Sequence, residues 1–265
     1  MKYMMAGTLL AVASVLLGGC EDGTGPESAA PVAVAFSVAS AGQAALSGGW
    51  LGSRAGLVVT GTNGTLEIED LRLIVSDFEL EGEDDADCDE FPDDDVRDSD
   101  DCEDFEFPPF LVDVPLTGGI VEVASDMVRP GVYKELEFET RGLDDDDDDD
   151  EQDRARILEL IAELRATYPS FPERASMVAS GVFTATGSEP RPFVVFFDAE
   201  VEIELELEPP VVLPGDGLTQ LTVDLRPDMW FMDGDGVRDL SQFDNRFVEF
   251  EFEMERGFTE VEIDD

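Results

Sequence analysis

Hydrophobic and charged residues alternate with a period of two along much of this chain, a pattern typical of β-strands with one buried face. In the clearest stretch, Leu66 and Ile68 alternate with Glu67 and Glu69, and the phase changes around Asp70. Such a phase change indicates a β-bulge or a bend. Further strands are predicted at 31–39, 57–60, 110–114, 133–140, 175–186, 193–207, 218–225 and 248–254.

Turn residues separate these predicted strands. Gly118 and Gly119 predict a hairpin turn, and Pro209 and Pro210 predict the end of the long strand at 193–207. A last hairpin is predicted after Gly257. Many short strands with regular turn signals favour an antiparallel β-sandwich, so the predicted fold class is mainly β.

One segment has a helical period instead. Ile157, Leu160, Ile161 and Leu164 recur at the spacing of one helix face, and Pro169 ends the pattern. The sequence therefore predicts one amphipathic helix, at about 151–168, inserted among the strands. Its apolar stripe is expected to pack on the core.

The amino-terminal segment predicts export and lipid attachment. Lys2 precedes an uncharged apolar run at 4–17, which is typical of a signal peptide and short for a membrane span. The residues Leu17, Gly18, Gly19 and Cys20 resemble the lipobox of bacterial lipoproteins, which implies that Cys20 carries the lipid. The alternative is an ordinary signal peptide with an incidental cysteine.

The predicted domain organisation follows from this leader. Residues 1–19 form the signal peptide, and 20–31, rich in Gly, Pro and Ser, form a flexible tether. Residues 32–265 form the β-sandwich, with acidic insertions at 81–106 and 144–151. The predicted location is the bacterial cell envelope, with the lipid on the periplasmic face of the outer membrane or at the cell surface.

Two further cysteines lie within the first acidic insertion. In an oxidising compartment, Cys88 and Cys102 are expected to form a disulfide, closing a loop of about 15 residues for about 3 kcal/mol of stabilisation. The alternative is a metal site built on the two thiolates. The chain contains no histidine and no third thiol nearby, which favours the disulfide.

The charge balance narrows the possible partners. The chain has 64 acidic and 16 basic residues, for a formal net charge of −48. No nucleic acid is therefore expected as a partner, and anionic lipid surfaces are poor partners, because each phosphate contact needs a cation. Cations and basic proteins remain possible partners. The competing explanation of so acidic a surface is adaptation to high salt, which screens the repulsion between like charges.

No catalytic or cofactor-binding residue is predicted. Without histidine, a Ser/His/Asp or Cys/His nucleophile is excluded. A pair of carboxylates of the glycosidase type remains open, but nothing singles out two among 64 acids. The expectation is a protein that is not an enzyme, with a carboxylate-based envelope hydrolase as an alternative.

Calcium is the one cofactor for which candidate residues exist. Asp233, Asp235 and Asp239 lie in the oxygen-rich segment DGDGVRD, but their spacing is not that of a complete EF-hand loop. The alternative is a plain turn between two strands. If the strands at 201–207 and 248–254 are neighbours, their outward glutamates face one another, which predicts stabilisation by salt or divalent ions.

The lipobox, together with GTLEIEDLRLIVSDFELEG from Gly64, RPGVYKELEFE from Arg129 and LTVDLRPDMWFMDGDGVRDLSQFD from Leu221, resembles bacterial lipoproteins with an immunoglobulin-like or prealbumin-like domain of unknown function. The resemblance implies a fold and a location, and brings no catalytic residues. We therefore expect a lipid-anchored envelope protein that binds a partner or serves a structural role. The alternative is a calcium-stabilised adhesion or carbohydrate-binding module.

Overall fold

The computed structural model describes residues 30–38, 56–82, 104–143, 151–199, 201–213, 217–249 and 257–264. Its strands are β1 (Ala30–Val38), β2 (Leu57–Gly61), β3 (Gly64–Val75), β4 (Asp77–Gly82), β5 (Phe105–Glu106), β6 (Phe110–Asp113), β7 (Gly119–Val128), β8 (Gly131–Thr140), β9 (Met177–Ala185), β10 (Arg191–Asp198), β11 (Val201–Leu213), β12 (Thr219–Leu225), β13 (Met232–Asp233), β14 (Gly236–Val237), β15 (Arg246–Glu249) and β16 (Phe258–Asp264). The helices are α1 (Glu151–Thr167), α2 (Pro227–Trp230) and a 3-10 helix (Leu240–Phe243).

The strands form three larger sheets and one small hairpin. The first sheet has the order β16-β12-β1-β7, and the second has the order β15-β10-β9-β3-β2, with β6 also paired to β3. The third sheet has the order β11-β8-β4-β5, and β13 pairs with β14. The mainly β, sandwich-like fold predicted from the alternation is confirmed.

All three larger sheets contribute to one apolar core. Phe36 of β1 lies 6.4 Å from Phe110 of β6 and 6.0 Å from Phe138 of β8, measured between ring centroids. Phe78 of β4 extends this aromatic cluster, at 6.1 Å from Phe138. Burial of these rings supplies much of the hydrophobic stabilisation that holds the three sheets together.

Helix α1 forms a second, smaller core on the outer face of the second sheet. Its buried residues are the four that the helical spacing predicted, Ile157, Leu160, Ile161 and Leu164. They pack with strand residues that include Ile74, Val178 and Phe196. The predicted amphipathic helix is thus confirmed, and its apolar stripe faces a core.

The predicted irregularity near Asp70 is also confirmed. The pairing of β3 with β9 shifts register between Ile68 and Asp70, so one extra residue is accommodated there. As a result, Ile68 before the bulge and Leu71 after it both point into the main core. Asp70 points to the opposite face, where its Oδ2 accepts a hydrogen bond of 2.7 Å from the Tyr168 hydroxyl just after α1.

The prediction of a single long strand at 193–207 was wrong. The chain there forms β10 in the second sheet and β11 in the third sheet. The backbone N–H of Ala199, between the two strands, donates to Ser176 Oγ, and its carbonyl accepts from Ser176 Oγ and Thr140 Oγ1. These buried hydroxyl groups replace the strand hydrogen bonds that the backbone gives up where it changes sheet.

The predicted break at the two prolines was also wrong. Strand β11 continues to Leu213, and Pro209 and Pro210 lie in a register shift between Glu206 and Val211. Because β11 is the outermost strand of its sheet, residues without an N–H are tolerated at this irregularity.

Two predicted hairpins are not formed by the described strands. Gly118 and Gly119 connect β6 to β7, which belong to the second and first sheets. Likewise β15 pairs with β10, whereas β16 pairs with β12. Residues 250–256, which the last hairpin prediction also covers, lie outside the described residues.

The sandwich is not purely antiparallel. Strand β1 pairs in parallel with β12, and β10 pairs in parallel with β15. Parallel neighbours need a crossover connection, so they come from distant parts of the chain and local turn signals do not announce them. Within the described residues, no helix has both the length and the apolar character needed to cross a membrane.

Candidate functional site

The acidic strand residues come together on one face of the third sheet. The pairing of β4, β8 and β11 sets their carboxyl groups opposite one another in three ranks: Asp77–Glu139–Glu202, Glu79–Glu137–Glu204 and Glu81–Glu135–Glu206. Glu106 of β5 lies opposite Glu79 and extends the middle rank. We call these residues the acidic face.

The alternation of the sequence explains why this face is acidic. Between the carboxylates, Phe78, Leu136, Phe138 and Ile203 point to the other side of the sheet and are buried in the main core. Shifting a strand by one residue would expose this apolar set, so the core holds the register. The carboxylates must then share the solvent side, whatever their mutual repulsion.

Two ion pairs between described residues join basic side chains to the outer ranks of this face. Lys134 Nζ lies 3.7 Å from Glu81 Oε1, and Arg141 Nε lies 3.8 Å from Glu139 Oε2. No ion pair joins a described cation to Glu79, Glu137 or Glu204 of the middle rank. Glu79, Glu137 and Glu204 therefore lie in one row of carboxyl groups without an ion pair to a described cation.

Glu79 and Glu137, the two glutamates of the middle rank on the inner strands β4 and β8, are half-buried, and burial raises the pKa of both. Burial, together with the charges of Asp104, Asp77, Glu106 and Glu81, raises the pKa of Glu79 to about 7. Burial, a hydrogen bond with Glu202 and the charges of nearby glutamates raise the pKa of Glu137 to about 7. Both effects disfavour the carboxylate form.

The outer ranks show the same direction. Burial, a hydrogen bond with Glu81 and the surrounding glutamate charges raise the pKa of Glu135. Burial also raises the pKa of Asp77, although the charge of Arg141 and the Phe78 backbone N–H oppose this. At Asp77, Glu79, Glu135 and Glu137 the folded sheet therefore disfavours the charged carboxylate.

The candidate calcium residues take part in a small hairpin. Met232 pairs with Val237 and Asp233 with Gly236, so Gly234 and Asp235 form a two-residue turn, in which Gly234 has φ 59°. A positive φ of this kind is the conformation for which glycine is preferred. The side chains of Asp233 and Asp235 are exposed.

Asp239 is held apart from this turn by other partners. Its carboxylate accepts hydrogen bonds from Arg191 at 2.6 Å, from Gln242 at 2.9 Å and from the Ser241 hydroxyl. Burial acts to raise the pKa of Asp239, but these three hydrogen bonds outweigh it and lower the pKa. Among the described residues, no group of three or more His, Cys, Asp or Glu side chains is arranged to hold a metal ion.

Asn63 is a key residue of this region that the sequence did not single out. Its Nδ2 donates to the Val237 carbonyl at 2.7 Å, and its Oδ1 accepts from the Val237 N–H at 2.8 Å. The Thr62 N–H also donates to the Asp235 carbonyl. Residues 233–236, which we call the DGDG turn, are thereby held against the turn between β2 and β3. The Thr62-Asn63-Gly64 turn was the only feature of the sequence that indicated this contact.

The acidic face was anticipated only in part. The sequence predicted that glutamate rows would face one another if the strands at 201–207 and 248–254 were neighbours. The neighbour of β11 is instead β8, and the described part of the second stretch, β15, pairs with β10. Cys20, Cys88 and Cys102, the predicted lipidation and disulfide sites, lie outside the described residues.

Comparisons with family models, with curated proteins and with solved structures found no match to this chain.

Proposed function

We propose that this chain is a lipid-anchored, non-catalytic binding module of the bacterial cell envelope, and that its acidic face binds a basic partner. The observation that carries the proposal is the middle rank, where Glu79, Glu137 and Glu204 lie opposite one another without a described cation. A partner that supplies Lys or Arg side chains would replace this repulsion with attraction.

The leader supports the location in this proposal. An apolar run that ends in Leu17, Gly18, Gly19 and Cys20 is the arrangement of a lipoprotein signal, and export would place the acidic face outside the cytoplasm. A lipid anchor would hold the module at the membrane while the tether at 20–31 lets the sheet reach a partner.

A binding experiment tests the proposal with a defined probe. The probe is a fluorescent peptide of alternating lysine and serine, added to the full chain at low and at physiological salt. The test variant replaces Glu79, Glu137 and Glu204 by Gln, and the control replaces the exposed Glu122, Glu163 and Glu189 by Gln. Binding is measured at pH 8, above the pKa of about 7 of Glu79 and Glu137, so both variants lose close to three negative charges and a non-specific effect of the total charge is similar in both.

We expect the middle-rank variant to weaken binding at least tenfold more than the control, because closely opposed carboxylates act together on one cation. Equal weakening by both variants would mean that the net charge alone attracts the probe, and would reject the acidic face as a specific site. Calcium in place of the peptide tests the adhesion alternative, which requires saturable, stoichiometric binding.

A carboxylate-based hydrolase is the second candidate, and one observation favours it. Glu137, with a pKa raised to about 7, lies opposite Glu204 on the neighbouring strand. A protonated carboxyl group beside an ionised one is the pair that glycosidases use as acid and as base or nucleophile. A screen of envelope glycans with the wild-type chain and Glu137→Gln tests it, and activity that survives the substitution would reject Glu137 as the acid.

A further inference from the structure

We propose that the acidic face is a proton-dependent clamp, whose carboxyl groups share protons in the folded sheet and whose deprotonation loosens the pairing of β4, β8 and β11. Deprotonation breaks the O–H bond of a carboxyl group and transfers the proton to water, and no other covalent bond in the chain changes. This inference deepens the proposed function, because it describes regulation of the face to which that function is assigned.

The strand register places acidic side chains opposite one another. Glu137 faces Glu79 on one side and Glu204 on the other, and Glu135 likewise faces Glu81 and Glu206. Residues directly opposite in an antiparallel pair have Cβ atoms only about 5 Å apart, at which like charges destabilise the pairing. A proton on one carboxyl group removes the repulsion and provides a hydrogen-bond donor to the next.

One carboxyl oxygen of the acidic face is buried away from water. Oδ1 of Asp77, in the first rank, is buried and has no hydrogen-bond partner among the described residues. Burying a charged oxygen without a donor is costly, whereas a neutral carboxyl group avoids most of this cost. Burial of this oxygen raises the pKa of Asp77, against the charge of Arg141 and the Phe78 N–H, so the first rank also disfavours the charged carboxylate.

Charged groups face this cluster from every strand of the third sheet, and acids predominate among them. Lys134 and Arg141 favour the charged carboxylates and so oppose protonation, and each of them lies beside an outer rank. The groups are Asp77, Glu79 and Glu81 of β4; Asp104 and Glu106 at β5; Lys134, Glu135, Glu137 and Glu139 of β8, followed by Arg141; and Glu202, Glu204 and Glu206 of β11.

The direction of the pH effect follows from the raised pKa values. The pKa of Glu79 and of Glu137 rises from 4.5 to about 7 in the folded chain. Folding therefore takes up protons, and the stability that each group contributes is fully present below about pH 4.5 and is lost as the pH rises through about 7. Mild acid should tighten the sheet, and neutral to alkaline solution should loosen it.

The test compares melting temperatures of the full chain without any binding partner, from pH 5 to pH 8. Glu137→Gln imitates the protonated carboxyl group, so we expect a melting temperature close to wild type at pH 5. At pH 8 it should melt about 2–4 °C above wild type, because it lacks the repulsion that deprotonation creates. Glu79→Gln should behave in the same way.

Glu122→Gln is the matched control. Glu122 is an exposed strand glutamate of β7 that lies opposite Ala35 of β1, so no carboxylate faces it across the strand pair. Its effect on the melting temperature should not change with pH. A Glu137→Gln effect that is equally independent of pH would overturn the proposal.

A second measurement does not depend on any variant. Infrared spectra of the folded wild-type chain at pH 6 should contain the carbonyl band of protonated carboxyl groups, and this band should disappear on unfolding at the same pH. Its absence from the folded chain would also overturn the proposal. Because neither experiment contains a partner, the clamp can fail while basic-peptide binding succeeds, and the reverse.

Discussion

Glu137 of β8 lies directly opposite Glu79 of β4, and both side chains are on the solvent side of a sheet whose other face is buried in the main core. Neither carboxyl group has an ion pair with a described basic residue. The core thus imposes a close approach of like charges that the surface alone would not favour.

Screening by salt should therefore stabilise the protein. Between roughly 0.01 M and 1 M salt the Debye length falls from about 30 Å to about 3 Å, which weakens repulsion across the acidic face. We expect the melting temperature at neutral pH to rise with salt. The rise should be smaller when Glu79, Glu137 and Glu204 are replaced by Gln than when Glu122, Glu163 and Glu189 are. A melting temperature that does not change with salt would contradict this.

At Ala199 the chain passes from the second sheet to the third. The stability of this connection should depend more on Ser176 than on Thr140. Ser176→Ala leaves the buried Ala199 N–H without its acceptor, so we expect a loss of about 1–3 kcal/mol in the free energy of unfolding. Thr140→Val should cost less, because the Ala199 carbonyl keeps its hydrogen bond from Ser176. Denaturant unfolding measures the loss in free energy for each variant. A larger loss for Thr140→Val than for Ser176→Ala would contradict this prediction.

The DGDG turn should depend on the amide of Asn63. In Asn63→Asp an oxygen replaces Nδ2 and faces the Val237 carbonyl, so a hydrogen bond becomes a repulsion and we expect a loss of about 1–3 kcal/mol. Asn245→Asp, at an exposed position whose φ of 55° aspartate also tolerates, makes the same change of amide to carboxylate. Chemical denaturation should show little effect for this control, and equal losses would argue against the docking role.

A substitution of Asp239 can distinguish a structural role of this residue from a role in calcium binding. Its pKa is lowered in the folded chain, so its contribution to stability is present above an ordinary aspartate pKa of 3.8 and is lost as the pH falls through the lower folded value. Asp239→Asn should lower the melting temperature at pH 7 by the same amount with and without millimolar calcium, if the Arg191 contact is its role. Asp233→Asn and Asp235→Asn should have little effect, unless calcium binds there.

Lipid attachment and the disulfide are tested by mass spectrometry of the natively produced chain. We expect a mature amino terminus at Cys20 that carries acyl chains, and no free thiol at Cys88 or Cys102. Cys20→Ser should move the protein from the membrane fraction to the soluble fraction. An intact leader with two reduced thiols would contradict both expectations.

Local patterns account for what could be predicted. The alternation of Leu66, Glu67 and Ile68 identifies a half-buried strand, and the phase change at Asp70 identifies the bulge, because both depend only on neighbouring residues. The helical spacing from Ile157 to Leu164 identified α1 for the same reason. The composition likewise sufficed to show that carboxylates would crowd the surface.

Only the tertiary structure determines which distant strands pair with one another. Nothing near Glu204 indicates that it faces Glu137, about seventy positions earlier, and nothing near Ala199 indicates that the strand changes sheet there. Outward glutamates look alike on every strand, so the pattern determines which side of a sheet they occupy and not which neighbours they meet. The burial of Phe36, Phe110 and Phe138 against one another selects the neighbours, and with them the acidic face.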